Sequence, residues 1–528
     1  MSVVPVGRQK LAACLAAGLS TALVVAGCSS GGSDTPNAAP TGTTLQLSFL
    51  QDPGQPPDPD VFYGTQGLLL TTNAYEGLLT FAAGKAESEL APALATSWTE
   101  SPDKKTFTFQ LREGVTFHDG TPFTSAAIKA SFDRRIAVDQ GPAYMVKDVE
   151  SVVPQGDYAA TITLKAPNST FLYELASPYG PKMMSPTALA ANAGSGHAQT
   201  YLTTHDVGTG PYTLTDAKVG DKYQLSSYLD YWGKKPYYTT VDIPVISDST
   251  AQQLQLDNGS LGAILHDIPS SAVETYKANA KFTSHTLPTA MSDYMYVNPH
   301  TPVMSNITVR QGLLKAVDID ALARNAYFGR GTAAKQIYPA NVNDPKYAAQ
   351  NITHDPAALK AAVDALPANA RAITIGYDSS SPDNQQVAAL LGTQLSQAGL
   401  VPTQTGYPAS QIFGWLENRD GAPDILVNLG FPDAPHPYLF EHINFDADGG
   451  VNFFGCTSPS ATTLIAKGLE TGSPEDFSAA AEEAQATGCW LNLVDVSDFM
   501  VAQPWLKGVE AAHIVSVPTS LSLNELYQ

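Results

Sequence analysis

An apolar run that ends at a cysteine near the N-terminus constrains this chain more than any other feature. Arg8 and Lys10 precede the run, residues 11–25 are almost free of polar side chains, and small residues lead into Cys28. A basic start, an apolar stretch and small residues before a cleavage point are typical of a secretory signal. The run is shorter than the roughly 20 residues that span a bilayer. We therefore predict that residues 1–27 are a signal peptide and that the rest of the chain folds after export.

Cys28 follows Val25-Ala26-Gly27, and this order resembles the bacterial lipobox, whose cysteine is diacylated and becomes the mature N-terminus. The alternative is a simple secretory signal with an incidental cysteine. Residues 28–45 favour the anchor, because their Ser, Gly, Thr, Pro, Asn, Ala and Asp side chains predict a flexible tether without a core. We expect an extracytoplasmic lipoprotein that is held at the cell membrane by palmitate-type acyl chains.

The composition after the signal is that of a packed globular protein. Hydrophobic residues make up 43% of the chain and charged residues only 15%, which excludes a disordered chain. Residues 28–528 exceed what one hydrophobic core holds, so two or three lobes are expected. The net charge of −21 argues against nucleic acid and against an anionic bilayer surface as partners. No second apolar run approaches spanning length, so we expect this part to be soluble.

Two cysteines remain in the mature chain besides Cys28. Cys456 and Cys489 are an even pair in an exported protein, which favours a disulfide. Such a bridge would close a loop of about 33 residues and stabilise the fold by roughly 3–4 kcal/mol in the chain-entropy model. Two buried free thiols are the alternative. Neither cysteine has a His or Cys partner at metal-ligand spacing, and we predict no metal site here.

The most strongly patterned segment is residues 90–136. A turn over residues 101–104 precedes an alternation of apolar and polar side chains over residues 107–111, which predicts a half-buried strand. Thr124 and Ser125 can then cap a helix. His118 lies between strand and helix, and we predict a turn residue there rather than a catalytic or metal-binding one.

The same segment resembles the signature of the extracellular solute-binding proteins of family 5, which include the peptide- and nickel-type binding lipoproteins of ABC importers. The string Leu-Ala-Pro-Ala-Leu-Ala-x-x-Trp and the later Gly-Val-Thr-Phe-His-Asp-Gly-Thr-Pro-Phe carry the resemblance. Further blocks agree in order and spacing, and they are residues 73–78, 207–212, 231–233, 248–251, 296–298 and 309–318. Gly312 stands where the family usually has Ala. Together the blocks span roughly residues 46–460.

The resemblance implies an α/β fold, a two-lobed clamp of the periplasmic-binding-protein type in which the chain passes between lobes twice. The first lobe would be discontinuous and carry an extra subdomain. We expect its core in residues 46–75, 205–290 and 500–528, the extra subdomain in residues 76–204, and the second lobe in residues 291–499. Ligand would bind in the cleft between the lobes, and hinge closure would bury it.

The implied function is capture of an extracytoplasmic ligand for an ABC permease and its ATPases, by a monomer without a cofactor. An oligopeptide or dipeptide leads as ligand, with oligosaccharide, haem-like and metal-chelate ligands behind it. A metal chelate remains a possible ligand because His436 and His442 lie close together in the sequence, near the expected cleft. A regulatory or interaction lipoprotein on the same scaffold is the alternative function. The one Gly-x-Ser-x-Gly string, residues 27–31, falls at the predicted cleavage point. The chain has no His-Glu-x-x-His motif and no Walker loop, so no enzyme is predicted.

The resemblance also implies which residues line the cleft. Peptide-binding relatives use a segment ahead of the Tyr-Glu-Gly-Leu block, a tyrosine after the first subdomain helix, and an aspartate that pairs with the peptide's ammonium group. When the chain is aligned on Pro435, Phe431 occupies the aspartate position, and Asp433 could substitute only if the loop is shifted. The predicted ligand-binding residues are Tyr63, Gly64, Thr65, Tyr144, Asn428, Gly430, Phe431 and Asp433, with Asn452 and Phe453 on the rim.

Overall fold

The structure is a computed structural model that describes residues 42–266, 268–347 and 352–528. The predicted signal peptide, Cys28 and the tether up to residue 41 lie outside the described residues. Within the described ranges, none of the helices combines the length and the apolar character that a membrane crossing requires.

The described residues form short and long strands in alternation with helices. The strands are β1 Thr44–Gln46, β2 Leu79–Phe81, β3 Leu90–Pro92, β4 Ala95–Glu100, β5 Thr106–Leu111, β6 Val149–Pro154, β7 Ala159–Leu164, β8 Tyr212–Lys218, β9 Lys222–Ser227, β10 Thr240–Pro244, β11 Ala263–Ile264, β12 Thr283–Val297, β13 Gly331–Ala333, β14 Ala372–Asp378, β15 Val401–Tyr407, β16 Ile425–Gly430 and β17 Trp490–Ala502.

The helices are α1 Leu68–Ala74, α2 Ser125–Val138, α3 Phe171–Ala176, α4 Pro186–Asn192, α5 Gln199–Leu202, α6 Ser249–Asp257, α7 Val273–Lys277, α8 Ile307–Ala316, α9 Ile319–Tyr327, α10 Pro356–Asp364, α11 Pro382–Gln397, α12 Ala409–Gly414, α13 Pro437–Phe445, α14 Pro459–Thr471, α15 Pro474–Gln485 and α16 Val509–Ala512. Short 3-10 helices are Gly141–Val146, Ser270–Ala272, Pro345–Tyr347, Ala368–Ala370 and Leu523–Glu525.

The strands of the described residues assemble into separate sheets. One sheet has the order β1-β10-β9-β8, a second has the order β4-β5-β7-β6, and β2 pairs with β3. The largest sheet has the order β11-β17-β12-β16-β14-β15, with β13 paired to β17. Parallel pairs join β1 to β10 and β14 to both β15 and β16, whereas the remaining pairs are antiparallel.

The three larger sheets pack against hydrophobic cores, and the β2–β3 pair shares the core of the second sheet. In β5 the predicted alternation is confirmed, because Phe107, Phe109 and Leu111 point into the core of the second sheet while Gln110 is exposed. We call the hydrophobic core under the sheet β4-β5-β7-β6 the subdomain core. We call the hydrophobic core under the sheet β1-β10-β9-β8 the first core. The largest sheet is buried on both faces, as in sheets covered by helices on each side. Its two faces form the second core.

The long strands β12 and β17 belong to two cores at once. Leu287 and Met500 pack in the first core, whereas Met291 and Leu491 pack in the second. The pairing of β12 with β17 shifts register between Leu287 and Met291. These paired strands therefore connect the first core to the second, with an irregular step at the point where they pass from one to the other.

Two local predictions are confirmed. Cys456 and Cys489 form a disulfide with a Cα–Cα distance of 6.5 Å, inside the second core. His118 lies in a turn, where its Nδ1 contacts the Asp206 carboxylate and its Nε2 lies 2.9 Å from the Gly210 carbonyl oxygen. Both ring nitrogens of His118 are therefore engaged in holding the turn.

Candidate functional site

A buried carboxylate, that of Asp433, lies where the segment after β16 meets the N-terminal part of the chain. Asp433 is 4% exposed. The Tyr63 hydroxyl donates to its Oδ2 over 2.5 Å, and the Tyr144 hydroxyl donates to the same oxygen. Tyr63 comes from the loop before α1, and Tyr144 comes from the 3-10 helix after α2. One carboxylate oxygen thus joins three distant segments.

The segment that carries Asp433 packs directly against the subdomain. Ala434 and Leu439 are buried in the subdomain core. The Ser177 hydroxyl donates to the carbonyl oxygen of Asp433 over 2.5 Å. Because β16 itself belongs to the second core, this segment is a point of contact between the second core and the subdomain.

The two oxygens of Asp433 have different surroundings. Both tyrosine hydroxyls use Oδ2, and among the described residues Oδ1 has no hydrogen-bond partner. Burial raises the pKa of Asp433 to about 6, against the opposing effect of the two hydroxyl groups and of His442. A buried carboxylate with an unused oxygen is costly unless a donor or a cation reaches it. The geometry therefore offers an acceptor for a positively charged group.

Aromatic rings surround this carboxylate. The Tyr179 ring lies 5.0 Å from that of Tyr63 and stacks at 6.3 Å, with an interplanar angle of 18°, on that of Phe431. The Tyr179 hydroxyl donates to the carbonyl oxygen of Gly64 over 2.7 Å. We call Tyr63, Tyr144, Tyr179, Phe431 and Asp433 the cleft cluster. Such a surface suits an apolar or aromatic group beside the charged one.

Two consecutive arginines of α2 hold the loops that carry these tyrosines. Arg135 is fully buried, and its guanidinium donates to Asp60 over 2.7 Å and to the Tyr179 carbonyl oxygen over 2.6 Å. Arg134 pairs with the carboxylates of Asp58 and Asp60. Because a guanidinium presents donors in a fixed planar arrangement, the pair sets the spacing between the loop before α1 and the loop at Tyr179.

Sequence reasoning missed Tyr179 and the arginine pair. The partners of each arginine are far away in the sequence. Two adjacent arginines in a helix are also typical of a solvent-exposed helix face, so their burial was not expected. The sequence signal for Tyr179 is its place between Pro178 and Gly180, in a loop where a large aromatic side chain has no local reason to occur.

The neighbours of Tyr63 contribute backbone rather than side chains to the site. The Gly64 carbonyl oxygen accepts from Tyr179, and the Thr65 carbonyl oxygen accepts from the backbone N–H of Leu68 at the start of α1. Both residues are half-buried next to Tyr63. The backbone contacts of Gly64 and Thr65 help to fix the loop that carries Tyr63. A role of these two residues in ligand binding stays a prediction.

Asn428 and Gly430 lie at the end of β16, on the approach to Asp433. Asn428 pairs in register with Tyr294 of β12, and Gly430 pairs with Ser292. Both are half-buried, in contrast to the fully buried residues at the start of the strand. Their position beside Phe431 agrees with the predicted cleft, although no contact assigns either of them to a ligand.

The prediction that Asn452 and Phe453 form a rim is corrected by their burial. The Asn452 side chain donates to the carbonyl oxygens of Asp446 and Cys456 and accepts from the Cys456 N–H, which uses its hydrogen-bonding capacity within the loop. Phe453 is fully buried in the second core against Tyr296. Both side chains stabilise the fold instead of facing a ligand.

The two histidines near the cleft have different partners within the fold. His442 packs on Tyr144 with the ring centroids 4.5 Å apart, and its Nδ1 lies 2.8 Å from Asp446. His436 caps α13, and burial lowers its pKa to about 3. Among residues 42–266, 268–347 and 352–528, no three His, Cys, Asp or Glu side chains come together in a way that could hold a metal ion.

The sequence of this chain is similar to those of known binding proteins. The sequence model described as bacterial extracellular solute-binding proteins, family 5 Middle, matches residues 89–450. The chain is 26% identical over 409 residues to a probable D,D-dipeptide-binding periplasmic protein of Escherichia coli K12, which covers 76% of this chain and 78% of that protein. It is 23% identical over 479 residues to a nickel-binding periplasmic protein of the same strain, covering 86% and 90% of the two chains.

A solved structure shows the same fold. The periplasmic binding protein DppA of Helicobacter pylori, in complex with the peptide STSA, superposes with a TM-score of 0.78 at 20% identity, over 92% of this chain and 98% of that one. This likeness confirms the predicted α/β fold of a two-lobed periplasmic binding protein. The relatives are named for different ligands, so they leave the ligand of this cleft open.

Proposed function

Because the chain belongs to the bacterial extracellular solute-binding proteins of family 5, and so is a substrate-binding component of an ABC importer, we propose that its ligand is a short peptide with a free amine. In this proposal the ligand's ammonium group pairs with Asp433, and its apolar groups lie against the aromatic rings of the cleft cluster. The relative named for D,D-dipeptides supports this ligand class.

The observation that carries the proposal is the unused Oδ1 of the buried Asp433 carboxylate. An ammonium group buried in a cleft requires an anion, and the alignment on Pro435 had put Phe431 in that position. We propose that Asp433 takes this place instead and that Phe431 is part of the aromatic wall. In this proposal the absence of an acid at position 431 does not favour the alternative, a regulatory or interaction lipoprotein.

The arrangement of the lobes supports capture by closure. We propose that residues 291–499 move as one lobe against the remainder, with β12 and β17 as the hinge, because the irregular step in their pairing lies between the two cores. Asp433 comes from the second lobe, whereas Tyr63 and Tyr144 come from the first. Ligand bound at Asp433 therefore touches both lobes and favours the closed form.

Calorimetric titration of short peptides tests this proposal, with each peptide compared to its N-acetylated form. The Asp433→Asn protein should bind free-amine peptides about 10- to 100-fold more weakly, the range for a hydrogen bond to a charged group. Asp448→Asn is the matched control, since Asp448 is an exposed acid on the same lobe. Acetylated peptides should bind weakly to all three proteins.

Equal affinity for free and acetylated peptides would overturn the role of Asp433. A nickel chelate or a sugar that binds the native protein while all peptides fail would replace the ligand class and leave the family assignment intact. In that case the Asp433→Asn titration with the new ligand would show whether the buried carboxylate takes part.

A further inference from the structure

A crevice with a volume of about 250 Å³ opens into the first lobe, apart from the cleft cluster. Its lining includes Pro178 and Lys182 but no member of the cleft cluster. Tyr75, Phe81 and Trp232 give it aromatic walls. The lining also includes Ile514 and Val517, which pack in one apolar cluster with the aromatic residues of the cleft cluster. The proposed peptide capture uses none of the polar groups of the crevice.

Lys182 is the notable residue of this crevice. It is 6% exposed, and its ammonium group donates to the Ser177 carbonyl oxygen over 2.9 Å. Within the described part of the chain, that oxygen is its only hydrogen-bond acceptor. An ammonium group has three donors. Burial, with a smaller effect of Arg135, lowers the pKa of Lys182 to about 7.

Two carboxylates line the crevice, those of Glu76 and Glu525, and both already have partners. Glu525 pairs with the Lys234 ammonium group over 2.7 Å. Glu76 accepts from the Thr209 hydroxyl over 2.8 Å, from the Trp232 indole over 2.9 Å and from the Tyr231 hydroxyl over 3.0 Å. In the ranges that the structure describes, Lys182 and Glu76 form no ion pair. The buried ammonium group therefore has two donors without an acceptor among the described residues, and its side chain lines the crevice next to apolar and aromatic walls.

We propose that this crevice is a second binding site, for a small organic carboxylate whose oxygens bind the Lys182 ammonium group. A carboxylate supplies the acceptors that the buried lysine lacks. The aromatic walls suit a short apolar body behind the charged end. The volume suits a small acid. The site is independent of the ligand in the cleft.

Titration with benzoate tests the proposal, with benzamide as the neutral molecule of the same shape. Benzoate should bind the native protein and raise its melting temperature, and benzamide should bind about 10- to 100-fold more weakly. Lys182→Met should lose the binding of benzoate. Lys129→Met is the control, because Lys129 is exposed on α2 and carries the same charge.

Equal binding of benzoate to the native and Lys182→Met proteins would overturn the proposal, as would the absence of benzoate binding to the native protein. A second measurement on the native protein remains decisive if Lys182→Met does not fold. The pKa of Lys182, followed by NMR of labelled lysine side chains, should rise on addition of benzoate, because a bound anion favours the charged amine. An unchanged pKa would contradict the site.

Discussion

At the scale of the residue, the ionisation of Asp433 determines when the cleft can take a cation. Its pKa of about 6 lies above its usual value because the side chain is buried. Only the ionised carboxylate pairs with an ammonium group. The affinity for a free-amine peptide should therefore be highest near pH 7 and fall below pH 6, approaching a tenfold loss for each further pH unit. It should fall again toward pH 8, because the peptide's own α-amine, with a pKa of about 8, loses its proton.

Calorimetry between pH 4.5 and pH 8 checks this dependence, with Asp433→Asn as the reference that has no carboxyl group to titrate. The reference protein should bind weakly and with little pH dependence over the same range. If it kept the full dependence, His442, which lies next to Tyr144 and Asp446, would be the titrating group instead.

Phe431 gives a second prediction at this scale. Replacing Phe431 by Ala removes the ring that stacks on Tyr179 and should weaken binding by roughly 1–3 kcal/mol, as judged from the burial of one such side chain. The matched control is Phe413→Ala, since Phe413 is 49% exposed on α12. An unchanged affinity of Phe431→Ala for a ligand that does bind would show that Phe431 is not part of the wall.

At the scale of the element, the loops of the cleft depend on α2. Arg135→Met should lower the free energy of unfolding by about 3–5 kcal/mol, because it leaves three backbone carbonyls without their shared donor and the buried Asp60 carboxylate with Arg134 alone. Urea denaturation measures the change. Arg324→Met on α9, where the arginine is exposed, should change the free energy of unfolding by less than about 0.5 kcal/mol. Similar losses in both variants would contradict the structural role of Arg135.

The strands, turns and loops differ in how far the sequence predicts them. The alternation of β5 is set by neighbouring residues, so the sequence predicts it. The sequence also predicts the turn at His118, but not the contacts of its ring with Asp206 and Gly210. The pairing of Cys456 with Cys489 followed from there being two cysteines in the predicted mature chain besides Cys28. The contacts of Arg135 with Asp60 and of Tyr63 with Asp433 join residues far apart in the sequence, and nothing local encodes them. Loop positions assigned by resemblance were the weakest, as the buried Phe453 shows.

For the whole molecule, we predict that the clamp is tied to the membrane by a lipid anchor. The anchor at Cys28 lies outside the described residues and stays a prediction. Cys28→Ala should release the mature protein from the membrane fraction, because two or three acyl chains provide the stable attachment that a soluble domain lacks. Retention of Cys28→Ala protein in the detergent phase, at the level of the native protein, would contradict the lipid anchor.

The central claim is that this clamp carries a small ligand with a free amine between its lobes. Native mass spectrometry of the protein isolated from its own cell envelope tests this claim, because it measures the mass of any ligand that stays bound. We expect a bound molecule that is released on denaturation and fragments as a short peptide with a free N-terminus. The same molecule should be absent from Asp433→Asn protein prepared in the same way. A cleft that is always empty, or one that holds another protein or a ligand without an amine, would contradict it.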